Sequence, residues 1–148
     1  MRIAIIAITR NGARLGSRLK EGFADAELFV LRKYAGKAGK CVTPFTGELR
    51  EMVKDLWPET DGFVFIMAAA IVVRLIAPNL VDKELDPAVV VMDDAGKFAI
   101  SLLSGHLGGA NELACKCAFL IGSREVSRPP PMPIASPRST CWPRRKGG

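Results

Sequence analysis

Residues 100–112 read Ile-Ser-Leu-Leu-Ser-Gly-His-Leu-Gly-Gly-Ala-Asn-Glu, and they gather the residue types that acid–base chemistry on an anionic ligand needs. His106 is the only histidine of the chain. An imidazole changes charge near neutral pH, which suits a general base or a proton shuttle. Ser104 can donate to a developing negative charge or, less readily, attack. No Gly-x-Ser-x-Gly elbow surrounds it. Glu112 stands where it can orient His106 or a substrate. Gly105, Gly108 and Gly109 let the backbone take positive φ and approach a ligand closely. Asn111 either reaches that ligand or caps the helix that follows. An apolar strand, a glycine-rich turn and a helix start together aim backbone N–H groups at an anion. The plainer alternative is a glycine-rich turn with a structural histidine.

A second set of candidates is cationic. Arg74 is the single charge in the apolar run Ile71-Val-Val-Arg-Leu-Ile-Ala77, where a guanidinium must reach water, a partner or a ligand. Pairing with Asp82 or Asp86 is the structural alternative. Lys83 lies in a charged connection, residues 81–87. Arg10 and Asn11 end the first apolar run and are expected on the same rim of a sheet as the glycine-rich turn.

These side chains need elements to hold them. Residues 2–9 are nearly all apolar, as in a strand buried on both faces. Leu15, Leu19 and Phe23 recur every four residues, which predicts a helix over 9–23, with Asn11-Gly12 as its entry and a source of backbone donors. Residues 27–31 read as a second strand and 32–40 as a basic surface loop. Thr46 reads as the N-cap of a helix over 48–57, striped by Leu49, Val53 and Leu56 and ended by Pro58. Residues 62–68 read as a strand. Residues 89–92 and 98–103 read as two strands joined by Asp93-Asp-Ala-Gly-Lys97, a hairpin. Residues 110–120 read as a helix. Alternating strands and helices predict an α/β fold: a mainly parallel sheet flanked by helices, with Rossmann-like layering and one β-hairpin.

The 148 residues suggest one folded unit. The net charge is +6, but from Arg124 onward there are six basic residues against one acidic, so the body holds 15 basic against 14 acidic. The basicity belongs to the tail, and no basic–aromatic interleaving marks a nucleic-acid partner. No apolar run reaches the 18 or so residues of a membrane span. Cys41, Cys115, Cys117 and Cys141 form no Cys-x-x-Cys pair, so neither a metal site nor a disulfide framework is expected, and the cytoplasm is the expected compartment. After residue 122 the composition changes, with six of the ten prolines between Pro129 and Pro143. Residues 1–123 are therefore expected to form the domain and 124–148 a disordered Pro/Arg-rich tail. One permitted codon choice for residues 129–147, read one base earlier, spells a polar turn and an amphipathic helix, which makes the tail a candidate frameshift product.

Taken together, Phe65-Ile-Met-Ala-Ala-Ala-Ile-Val-Val-Arg-Leu-Ile-Ala-Pro78, Asp82-Lys83, Asp86-Pro-Ala-Val-Val-Val91, Asp93 to Gly96 and Ile100 to Asn111 resemble the N-terminal region of the cobalamin biosynthesis protein G family, the cobalt-precorrin-5A hydrolases. The resemblance is densest over residues 43–121. It implies a hydrolase of anaerobic vitamin B12 synthesis that opens a lactone on cobalt-precorrin-5A, cleaves a C–C bond and releases acetaldehyde to give cobalt-precorrin-5B. It also implies that this chain is the N-terminal, truncated part of such an enzyme, completed by a separate C-terminal polypeptide or working as a homo-oligomer. No cofactor is expected, since the substrate carries the cobalt. At Ala70 the family usually has glycine, and a positive φ there would strain the turn after the 62–68 strand.

A polycarboxylate macrocycle calls for cations and backbone donors around an apolar floor. Arg74, Lys83, Gly105, Gly108, Gly109, Asn111, Arg10 and Asn11 are the expected substrate-binding residues. His106, Ser104 and Glu112 are the expected catalytic ones. The competing reading is a non-catalytic tetrapyrrole- or anion-binding α/β module.

Overall fold

The computed structural model describes residues 1–105 and 108–127. Seven strands form one sheet in the order β3-β2-β1-β4-β5-β6-β7. β1 (Ile3–Ala7), β2 (Ala26–Leu31), β3 (Thr43–Phe45), β4 (Gly62–Ile66) and β5 (Ala88–Met92) run parallel. β6 (Phe98–Leu103) turns back antiparallel to β5, and β7 (Arg124–Val126) runs parallel to β6. The apolar runs of β1, β4 and β5 are buried along their whole length because helices cover both faces.

Side chains alternate across the sheet and divide the core in two. On one face Ile3, Ile5, Ala7, Val64, Ile66, Val90 and Met92 pack against α1 (Arg10–Glu21) and α4 (Ala110–Ile121). On the other face Ala4, Ile6, Phe63, Phe65, Val89 and Val91 pack against α2 (Leu49–Leu56) and α3 (Ala69–Ile76). There Trp57, Phe63 and Phe65 stack in series, with ring centroids 5.2 and 5.4 Å apart.

The α/β layering and the hairpin are as the residue pattern predicts. Gly96, at φ +70°, makes the β5–β6 turn, and Asp93 closes it by accepting from the N–H groups of Lys97 and Phe98. Several details differ. Thr9, not Asn11-Gly12, caps α1: its Oγ1 accepts from Gly12 N at 3.0 Å, which occupies a donor that was expected to be open to a ligand. Thr46 does not cap α2, whose N-cap is Glu48, without a side-chain bond. Residues 43–45 form an edge strand, and part of the expected basic loop is a 3-10 helix, Arg32–Lys37. Ala70 lies inside α3 and has no positive φ, so the expected strain is absent.

The domain does not stop at residue 123. β7 follows because Arg124 N donates to Lys97 O at 2.7 Å and Ser123 Oγ to Gly96 O at 2.6 Å, drawing the chain alongside β6. Residues 128–148, on which most of the expected tail falls, lie outside the described residues. Cys115 is disulfide-bonded, contrary to the expectation of free thiols, while Cys41 and Cys117 are free. No helix among the described residues is long and apolar enough to cross a membrane.

Candidate functional site

The glycine-rich turn forms where β6 ends. Leu103 pairs with Val89, at the start of β5, so Ser104 and the turn after it lie on the rim where the parallel strands begin. Met1 confirms the placement: a Cβ added at Gly109 would sit 3.4 Å from its Cε. The turn then feeds α4.

Its internal geometry is tight. Gly109 has φ +82°, and a Cβ at Gly108 would come within 2.4 Å of Ser104 Cβ and 2.9 Å of Ser104 O. Both positions therefore require glycine. Ser104 itself sits at φ +59°, the one non-glycine residue with positive φ among the described residues. A serine held there costs about 1–2 kcal/mol, so its surroundings must hold it. They do: its Oγ donates to Asp86 O at 3.2 Å, and its carbonyl accepts from Ala110 N at 3.1 Å. Asn111 N donates to Gly105 O at 3.1 Å, and the Asn111 amide lies over Gly105, where a Cβ would meet Oδ1 at 2.9 Å.

These bonds narrow what the turn can offer. An α-helix leaves its first four N–H groups without intrahelical partners, and those are the groups that bind anions. At α4 the N–H groups of Ala110 and Asn111 are already given to Ser104 and Gly105. Glu112, exposed in the first turn, complements the helix dipole but adds negative charge where an anion was expected. The Ser104 hydroxyl proton is likewise engaged. His106 lies outside the described residues.

Asp86 ties a second loop to this rim. It is 8 % exposed, and its carboxylate accepts from Val81 N at 3.0 and 3.2 Å. The 81–86 loop carries Lys83, exposed to solvent, and the Ser104–Asp86 bond joins it to the glycine-rich turn. Arg74 is exposed in the last turn of α3. It reaches solvent rather than lying buried, and no ion pair with Asp82 or Asp86 forms among the described residues. α3 returns from the end of β4 to the start of β5, so Arg74 approaches the same rim, on the face opposite α4.

Arg10 and Asn11 do not belong to this constellation. They open α1, just past the end of β1, on the rim where the parallel strands finish. The expectation of a shared rim fails because β6 is antiparallel. Its C-terminal end lies beside the N-terminal end of β5, so the chain after Leu103 starts from the rim opposite Arg10.

The rim with Arg10 holds a feature that residue types alone did not reveal. Between the ends of β1, β4 and β5 lies a cleft of about 480 Å3, lined chiefly by Ile8, Met67, Ile71, Val91, Phe98 and Ile100, with Thr9, Asp93 and Asp94 as its polar groups. It opens beside β1 and β4, where the strand order reverses, the place at which open α/β sheets commonly form crevices. Its floor is apolar, and two carboxylates border it. Among the described residues no three His, Cys, Asp or Glu side chains cluster as metal ligands. The Cys117 thiol, fully buried against the sheet, has its pKa pushed up to about 12 by burial, with Lys116 opposing weakly. It is an unreactive core group.

Known proteins match this chain over the same region. The family described as cobalamin synthesis G N-terminal matches residues 51–127. A cobalt-precorrin-5A hydrolase of Priestia megaterium is 37% identical over 125 residues, covering 83% of this chain and 33% of that protein. Another, of Salmonella typhimurium, is 36% identical over 124 residues, covering 84% of this chain and 34% of that one. The crystal structure of a putative cobalamin biosynthesis protein G homolog from Sulfolobus solfataricus superimposes with a TM-score of 0.63 at 25% identity, over 85% of this chain and 36% of that one. The chain thus spans about a third of the length of the curated relatives it matches. By the extent of these matches and by its fold, the chain belongs to the cobalamin synthesis G N-terminal family.

Proposed function

We propose that this chain is the N-terminal part of a cobalt-precorrin-5A hydrolase, contributing a substrate-facing rim to an enzyme of cobalamin synthesis in the cytoplasm. The observation that carries the reading is the 37% identity to the Priestia hydrolase over 125 residues. The chemistry of the rim supports it. Lys83 and Arg74 are exposed cations that can meet peripheral carboxylates of a tetrapyrrole. Gly105, Gly108 and Gly109 add no side chains of their own, so at those positions a flat macrocycle can come close to the backbone. Asn111 and Ser104 brace the turn, with Ser104 as a positioning group rather than a nucleophile. Glu112 is held as a proton-handling candidate. His106 is the proposed acid/base for lactone opening, on its residue type and its place between Gly105 and Gly108. Arg10 and Asn11, on the far rim, have no part in this site. The cobalt enters with the substrate.

A non-catalytic role for this chain by itself is favoured by one observation: the Ala110 and Asn111 N–H groups are engaged within the turn, which leaves few donors for an oxyanion. A titration with a cobalt-corrinoid, followed by absorbance and by aldehyde assay, separates the two readings. Binding is expected, weakened about tenfold by Lys83→Glu, a loss of about 1.4 kcal/mol. Arg10→Glu is expected to leave it unchanged. Equal weakening by both substitutions, or no binding, overturns the assignment of this rim. Acetaldehyde from the chain alone would overturn the non-catalytic reading.

A further inference from the structure

We infer that the Ile71 flank of α3, continued across the apolar cleft onto β6 and β7, is the docking surface for the polypeptide region that the longer relatives carry beyond the segment matched here. The inference rests on the reading of this chain as one part of a longer hydrolase. α3, Ala-Ala-Ile-Val-Val-Arg-Leu-Ile, is apolar almost all round. A helix of that kind is normally covered on every side. Here Val72, Leu75 and Ile76 face the core, while Ile71, on the flank that lines the cleft, stays 40% exposed.

The exposure continues across the cleft. Ala99 points to the α4 side of the sheet, so its neighbours Phe98 and Ile100 point to the α3 side. Val126 pairs with Ile100 and shares that side. α3 packs over β5, and beyond it Phe98 remains 43% and Val126 45% exposed. An α-helix face, a cleft of about 480 Å3 and a two-strand ledge thus form one apolar strip. Contiguous apolar surface of this kind marks a protein–protein contact.

The choice of occupant follows from charge and length. A polycarboxylate ligand would meet Asp93 and Asp94 at the cleft, so the substrate is disfavoured there. A polypeptide that inserts apolar side chains is not. The matched relatives are about three times as long as the segment they share with this chain. The match to the family ends at residue 127, directly after Val126 on the ledge itself. Chain continuing from that point in a relative starts at the strip's edge.

The test mixes the full 148-residue chain with the region of the Priestia hydrolase that follows its matched segment, and reads association by sedimentation. Association at about micromolar strength or tighter is expected, weakened at least about tenfold by Ile71→Asp with Phe98→Asp. Both positions are exposed, so the circular dichroism spectrum should not change. Arg18→Glu, on the opposite face, should have no effect. No association, or association indifferent to the double substitution, overturns the inference. So does a homodimer of this chain that the double substitution dissociates, since the strip would then belong to a second copy. If the added region does not stay in solution alone, residues 1–127 are joined to it in one chain. Amide exchange over residues 69–81 should then slow at least about tenfold relative to the isolated chain, and equal rates overturn the inference. An acetaldehyde assay on the same complex keeps the two readings apart. Docking without turnover counts against the hydrolase reading alone, and turnover untouched by the double substitution counts against the docking face alone.

Discussion

The two rims of the sheet are built from similar material and do opposite things. Where the parallel strands end, small and apolar residues (Ala68, Ala69, Ile8, Met67) leave an open cleft whose polar groups are a threonine and two aspartates. Where they begin, the glycine-rich turn and the 81–86 loop close on each other through Ser104, Asp86 and Val81, and the cations Lys83 and Arg74 stay in solvent. The first rim is the usual ligand crevice of an open α/β sheet. Its chemistry here suits an apolar polypeptide. The second rim is usually structural, yet it receives the residues that suit a polyanion. The hairpin makes the difference, because reversing β6 delivers Ser104, Gly105, Gly108 and Gly109 to the rim that a parallel strand would have led away from. Position along the chain is therefore a poor guide to which rim a turn occupies when one strand runs backward.

Five substitutions probe that contrast, in descending size. Gly108→Ala should destabilise the chain by about 3 kcal/mol in urea unfolding, because its Cβ meets the Ser104 backbone as well as its side chain. A loss below about 0.5 kcal/mol would mean that the turn can widen around an added methyl group. Thr9→Ala and Ser104→Ala each remove one hydrogen bond, at opposite rims, and each should cost about 1 kcal/mol. Only Ser104→Ala should also weaken corrinoid binding, and the reverse pattern would exchange the roles of the rims. Ala70→Gly tests the expected strain at that position, and its sign is decisive. A strained turn would be stabilised, whereas a helix should lose about 0.5 kcal/mol, and the loss is expected.

The smallest effect at neutral pH comes from Cys117. Its folded pKa is raised to about 12 from an ordinary value of 9.0. The folded state therefore holds its proton where the unfolded state releases it. Stability from this group is complete below pH 9 and falls as pH rises from about 9 toward 12. Cys117→Ala should flatten that alkaline decline in melting temperature. An unchanged slope would assign the decline to other groups.

Much of the architecture could be read from residue order because it follows from local rules. Continuous apolar runs marked β1, β4 and β5, Asp93 with Gly96 marked the hairpin, and the four-residue spacing of Leu15 and Leu19 marked α1. Short edge strands leave no such mark, since β3 and β7 have three residues each and are held by pairing partners far along the chain. Thr46 and Thr9 share a residue type, yet only Thr9 caps a helix, because capping depends on where the backbone turns.

The chain's own order of amino acids determined which groups are available for chemistry: one imidazole, a glycine-walled turn, an isolated arginine in an apolar run. It also determined that β6 must come back along β5, since five residues between two strands permit little else. Only the tertiary structure decided which groups stand together. Arg10 and Ser104 were separated by strand direction, and Lys83 was joined to the turn through the Ser104–Asp86 bond. Ile71 and Phe98 became one surface because the sheet order places β6 beyond β5. Hydrogen bonds and apolar contacts between distant residues form only in three dimensions, and no periodicity along the chain records them.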